Sequence, residues 1–147
     1  MPEENAPNFL FRLFVTGQLA GALLGRAIEQ SGLTPNEFAV LSIIGAYQSI
    51  GPTDLAQRAG MPPTTLSGYL VRLQDRGLID RATNPDDRRS QLLEVTAEGR
   101  RCNTLALEGL LTSNRTIAGQ LGVDPETVRA ALDELELALR AAVAAGP

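Results

Sequence analysis

Apolar positions along this chain fall into rhythms that change at a few points, and each change is marked by glycine, proline or a small polar residue. From Phe9 to Ile28 apolar residues are nearly continuous, which predicts a long helix buried on more than one side. Gly17, Gly21 and Gly25 repeat there every four residues, a spacing that lets a neighbouring helix come close. Thr34 then precedes Pro35, with Glu37 three residues on, so a helix begins at Pro35 behind a capping box. After Gly51 and Pro52 a short helix over residues 53–59 carries an apolar stripe of Leu55, Ala56 and Ala59, and Gly60 suits a left-handed cap. Met61, Pro62 and Pro63 lead into a second helix, in which Leu66, Leu70 and Leu73 face inward and Gly77 is the stop. Two short strands follow, over residues 78–83 and 92–95, around a turn-forming loop that runs from Asn84 to Gln91. A helix from about Ala97 to Leu121 comes next. Asp124 as N-cap and Pro125 as first residue open the last helix. In it Val128, Leu132, Leu135, Leu139 and Ala142 recur in the rhythm of a helix that packs on another helix, within the chain or on a second subunit.

A short helix, a glycine-containing turn and a second helix whose outer N-terminal face is small and polar make the sequence form of a helix-turn-helix. Thr64, Thr65, Ser67, Gly68 and Arg72 are the positions left facing outward. Small side chains let such a helix sink into a groove. Hydroxyls can bond base edges or phosphates, a threonine methyl can touch thymine, and arginine can fork onto guanine or hold a phosphate. The hairpin after it adds a wing whose tip carries Arg88, Arg89 and Ser90. Arginines at a protruding tip suit a narrow minor groove, where negative potential is concentrated. Asp86 and Asp87 lie in the same loop, but adjacent residues there do not converge on a substrate atom as a catalytic pair must.

Composition is that of an ordinary folded domain, with 44% hydrophobic and 20% charged residues in 147. The net charge of −4 runs against a generic nucleic-acid binder, since phosphates call for a basic surface. Its distribution changes the picture. All thirteen basic residues are arginines, and residues 54–101 hold eight of them against seven acids. That block is therefore the one segment that is not acidic. A membrane span or signal peptide over residues 9–28 is opposed by Arg12, Gln18 and Arg26 inside it and by Glu3 and Glu4 ahead of it. A lone cysteine, Cys102, and no histidine leave no intramolecular disulfide and no sulfur or imidazole metal site, so a reducing, cytoplasmic compartment with no metal or cofactor is expected. No nucleophile stands with a base beside it and no glycine loop cradles phosphate, so the chain reads as no enzyme. Residues 117–129 repeat the turn grammar of a helix-turn-helix. No wing follows them and their surroundings are acidic, which assigns them to dimerisation.

At Asp87-Arg88-Arg89, followed at fixed spacing by Leu93-Glu94-Val95-Thr96 and Gly99, the chain resembles the MarR family of winged helix-turn-helix regulators, and the resemblance extends over nearly its whole length. It implies a mainly α fold with a small β-hairpin, in a single domain over residues 1–147. A winged helix-turn-helix lobe would occupy about 34–96, and a helical dimerisation region would be built from about 8–31 and 97–145. It places Pro63, Thr64, Thr65, Ser67, Gly68 and Arg72 on the groove-facing side of the recognition helix, with Arg88, Arg89 and Ser90 at the wing. By spacing, Arg89 is the minor-groove residue. The implied partners are double-stranded DNA, a second copy of the chain, and an aromatic or amphipathic small-molecule effector. The implied function is a ligand-responsive repressor acting as a homodimer on a near-palindromic operator; the competing reading is a winged-helix protein-interaction module without DNA binding. Two departures stand out: Pro62 where a capping serine is frequent, and Gly68 where a basic or larger polar residue is frequent. Cys102 lies early in the helix after the wing and reads as structural.

Overall fold

The computed structural model describes residues 8–146. Six α-helices and one hairpin follow in the expected order: α1 Phe9–Ala27, α2 Pro35–Tyr47, α3 Pro52–Ala59, α4 Pro63–Asp75, β1 Ile79–Thr83, β2 Gln91–Val95, α5 Ala97–Gln120 and α6 Pro125–Ala145. A short 3-10 turn, Glu29–Ser31, joins α1 to α2 and was not foreseen. The chain divides into two compact units, Met1–Leu111 and Thr112–Pro147.

In the first unit, Val40, Leu41 and Ile44 of α2, Leu55 of α3, Leu66, Leu70 and Leu73 of α4 and Ile79 and Leu93 of the hairpin form one apolar core. Leu55 of α3 and Leu66, Leu70 and Leu73 of α4 are inward positions that the sequence periodicity marks, and burying each is worth roughly 1.5–3 kcal/mol. Local signals fix the ends. Gly77 takes a positive φ of 67°, and the amides of Gly77 and Leu78 donate to the carbonyls of Gln74 and Leu73. This double closure of α4 turns the chain into β1. The hairpin is antiparallel, with Arg81 opposite Leu93. A feature the sequence reading missed braces it: Ile50 exchanges both backbone hydrogen bonds with Leu93, at 3.2 and 2.8 Å. The segment before α3 thus lies along β2.

Thr96 then starts α5. Its hydroxyl accepts from the Gly99 amide at 3.0 Å and donates to the Gly77 carbonyl at 2.6 Å. Gly99 and Gly109 are places where α5 meets backbone directly, because a Cβ at either would overlap the carbonyl of Leu78 or of Ala27. Cys102 is buried on the same helix, its thiol facing Glu98 at 3.9 Å.

One charged group is central. Glu37 is buried at 4% exposure, yet it completes the capping box of α2: its carboxylate accepts from the Thr34 amide at 2.9 Å, and the Thr34 hydroxyl accepts from the Glu37 amide. The same carboxylate accepts from Arg76 at 3.2 Å and faces Arg72 at 3.6 Å. Arg76 also donates to the Gly32 carbonyl at 2.8 Å. Glu37 therefore ties the start of α2 to the second half of α4.

Two expectations are corrected. No residue of α1 is buried, so within one chain it is not enclosed on more than one side. Phe9, Leu10, Phe11, Phe14 and Leu19 are each more than 60% exposed. Gly17 and Gly21 face open space, and only Gly25 of the three approaches a neighbour, Pro35, at 3.8 Å. The physical reason is that α2 and α5 meet α1 near its C-terminal end, at Gly25 and Ala27, while among the described residues none of its side chains is buried. Second, Asp124 stands at the N-cap of α6 ahead of Pro125, but its side chain makes no capping bond. Its backbone carbonyl serves the Thr127 amide instead. Among the described residues no helix is long and apolar enough to cross a membrane.

In the second unit, α6 is laced on its outer side by Glu126, Arg129 and Asp133. Hydrogen bonding from Arg129 holds the Glu126 carboxyl below its ordinary range. Val128, Leu135 and Leu139 are half-buried, and no residue of α6 is fully buried.

Two stability outcomes follow. Glu37→Gln should cost about 1–3 kcal/mol in urea unfolding, because the arginine donors lose a charged acceptor, with Arg72→Gln costing less, since that arginine is more exposed. Gly109→Ala should destabilise by roughly 1–3 kcal/mol through overlap with Ala27, although helix propensity alone favours alanine by about 1 kcal/mol. Gly119→Ala, at a site with open space around it, should show that opposite sign.

Candidate nucleic-acid interface

The outer face of α4 is built by the inward set. Leu66, Leu70 and Leu73 take one side, so helical geometry turns Pro63, Thr64, Thr65, Ser67, Gly68 and Arg72 outward, and all six are exposed. Pro62 holds the N-cap position, with no side-chain cap bond. The first-turn amides are then left to other partners. Gly68 leaves a gap in the exposed face, where an added Cβ would first meet the Arg72 guanidinium, at 3.7 Å.

Arg72 is only partly turned outward. Its guanidinium stacks over the Tyr69 ring at 4.5 Å and reaches Glu37 at 3.6 Å. Tyr69 is itself held, its hydroxyl accepting from the Asn36 amide group at 2.6 Å. Reaching a base would cost Arg72 these contacts. Sequence reasoning also passed over Val71, which is 53% exposed on the same face. Counting helical steps from Thr64 through Gly68 would have found it, and its methyls offer an apolar contact of the kind thymine accepts.

At the wing, side chains fold the tip. Asn84 accepts from the Asp86 amide and donates to the Ser90 hydroxyl, each at 3.0 Å. The Asp87 carboxylate accepts from the Arg89 amide at 3.0 Å. Ser90 returns both its amide and its hydroxyl to the Asp87 carbonyl. Asp87 and Ser90 thus fix a turn on which Arg88 and Arg89 are exposed, and neither arginine has an ion-pair partner among the described residues. Ser90 is half-buried and spends its polar atoms on this turn, so its role at the tip is chiefly to shape it.

Two adjoining clefts connect helix and wing. A smaller one, of about 240 Å³, is lined by Pro63 and Ser67 of α4. A larger one, of about 640 Å³, is lined by Arg88, Arg89 and Ser90. Pro52, Thr53 and Arg81 border both. Pro63 and Ser67 of α4 and the wing tip therefore border one continuous surface, which carries Arg81, Arg88 and Arg89 of the middle segment.

Comparison with known proteins agrees with this geometry. The sequence pattern of the MarR family matches residues 33–91, from just before α2 to the start of β2. The HTH-type transcriptional repressor MdtR of Bacillus subtilis is 32% identical over 73 residues, which is 50% of this chain and 47% of MdtR, so the match spans about half of that relative. A probable transcriptional regulator from Pseudomonas aeruginosa has a similar structure, with a TM-score of 0.79 and 31% identity over 88% of this chain and 97% of its own. The M. tuberculosis regulator MosR, solved in complex with DNA, has a TM-score of 0.78 and 26% identity over 90% and 96%. On the helix-turn-helix, the wing signature and these likenesses together, the chain belongs to the MarR family, whose members regulate transcription and are not enzymes.

Proposed function

We propose that this protein is a sequence-specific DNA-binding repressor that acts as a homodimer and responds to a small ligand. The observation that carries the reading is the shared surface of α4 and the wing, with exposed hydroxyls on the helix and two unpaired arginines on a side-chain-fixed tip. In this reading α4 enters a major groove and Arg89 the neighbouring minor groove, where a narrow groove concentrates negative potential. MdtR is a repressor and MosR was solved with DNA; both likenesses favour the assignment.

The dimer is supported by apolar surface that the chain leaves uncovered. Phe9, Leu10, Phe14 and Leu19 of α1, and Leu132 and Leu137 of α6, are more than half exposed. Large apolar side chains exposed along a helix in this way mark an association surface. We assign residues 8–31 and 97–145 to dimerisation and residues 34–96 to DNA binding. Two recognition helices then meet successive major grooves about 34–36 Å apart. The effector is an aromatic or amphipathic molecule, and a cleft of about 710 Å³ bordered by Leu41, Gly45, Val95, Asn103 and Leu107 offers space for one. Such a ligand switches the protein only by preferring one spacing of the two helices over the other.

Fluorescence anisotropy with the protein's own upstream DNA tests the reading. Affinity should fall linearly in log salt, with a slope near 0.9 per phosphate neutralised; weak, salt-independent binding would favour a protein-interaction module. Arg89→Ala should lower affinity by roughly 1–3 kcal/mol, and Arg72→Ala should either weaken all sequences alike or relax preference at one base. Sedimentation should give a dimer at micromolar concentration, shifted toward monomer by Leu19→Glu.

A further inference from the structure

Between the recognition helix and the wing stands a cation that neither the helix face nor the wing tip accounts for. Arg81 sits in the middle of β1, away from the tip, opposite Leu93. Leu93 is in turn bridged to Ile50, so Arg81 rises from the most braced part of the hairpin. Its Nε donates to Gln74 Oε1 at 2.9 Å. Gln74 lies near the end of α4, so this bond couples the base of the wing to the recognition helix. The hydrogen bond uses one of the guanidinium's N–H groups and leaves those on both terminal nitrogens. Arg81 has no carboxylate partner among the described residues, and it borders both clefts.

Duplex geometry says what belongs there. In B-form DNA a major groove and the minor groove beside it are divided by a single sugar-phosphate backbone. A protein that places α4 in the one and its wing tip in the other must lay that backbone over the surface between them. Arg81 occupies that surface, and Thr53 borders the same clefts. Among the described residues Asp54 is the only carboxylate bordering the larger cleft, against Arg81, Arg88 and Arg89.

We infer that Arg81, aimed by Gln74, holds one phosphate of the backbone strand that separates the two grooves; this rests on the DNA-binding reading above. Such a contact carries no base information, but it sets the register of helix and wing along the duplex. It also makes the helix and the wing bind as one unit, because the same residue is tied to both.

The test is a salt series in anisotropy, with a specific and a scrambled duplex, on wild type, Arg81→Ala, Arg81→Lys, Gln74→Ala and Arg89→Ala, each checked for wild-type circular dichroism. Arg81→Ala should weaken both duplexes alike and reduce the salt slope by about 0.9 per subunit bound. Arg81→Lys should restore the slope while recovering only part of the affinity, since lysine cannot keep the Gln74 bond and present a fork. Gln74→Ala should keep the slope and lose some affinity. An unchanged affinity and slope in Arg81→Ala, with Arg89→Ala impaired, would reduce Arg81 to a structural brace and overturn the inference alone. So would an effect confined to one base pair. Loss of salt-linked binding in the wild type itself would remove the DNA reading beneath it.

Discussion

The structure turns on a buried carboxylate. Glu37 closes the first turn of α2 and, with the same carboxylate, holds Arg76 at the C-cap of α4 and faces Arg72 within that helix. A nearly buried charge is tolerable only when paired and hydrogen-bonded, and Glu37 meets that condition by drawing two helices together. The angle at which α4 leaves the core is thereby set by an ionic contact as well as by leucines. The same contact restrains Arg72, which on the proposed reading must give up Glu37 to reach DNA.

Rigidity then passes outward. The glycine turn at Gly77 leads directly into β1, the Ile50 bridge fixes β2, and Thr96 ties the start of α5 back to the Gly77 carbonyl. At the wing tip Asp87 and Ser90 determine the turn. An overall acidic chain can present a basic face because Arg81, Arg88 and Arg89 of the middle segment line one cleft, while acids outnumber arginines toward the ends. Local potential, rather than net charge, decides what approaches.

Much of this was legible in the residues. The capping box at Thr34 and Glu37, the caps at Gly60 and Gly77, and the inward leucines of α4 are local signals with local causes, and each is realised. The outward set of α4 follows from the same periodicity. What escaped notice depends on contacts far apart in sequence: the Ile50 bridge to Leu93, the bond from Arg81 to Gln74, and the second use of Glu37 on α4. No rhythm announces these. The expectation of an enclosed first helix fails for a related reason, since continuous apolar sequence states that a surface must be covered and not by what. Asp124 shows the limit of motif reading at smaller scale: the right residue stands at the cap without making the bond.

The central claim is that α4 and the wing meet a duplex as one face, twice, through a two-fold dimer. Hydroxyl-radical footprinting on the adjacent promoter tests it most directly. The account predicts two protected half-sites one helical turn apart, about 10–10.5 base pairs centre to centre, each with a protected minor-groove tract beside it that disappears in the Arg89→Ala protein while the rest persists at higher concentration. A footprint without those tracts, or no discrete footprint where the wild-type dimer is fully formed, would contradict it.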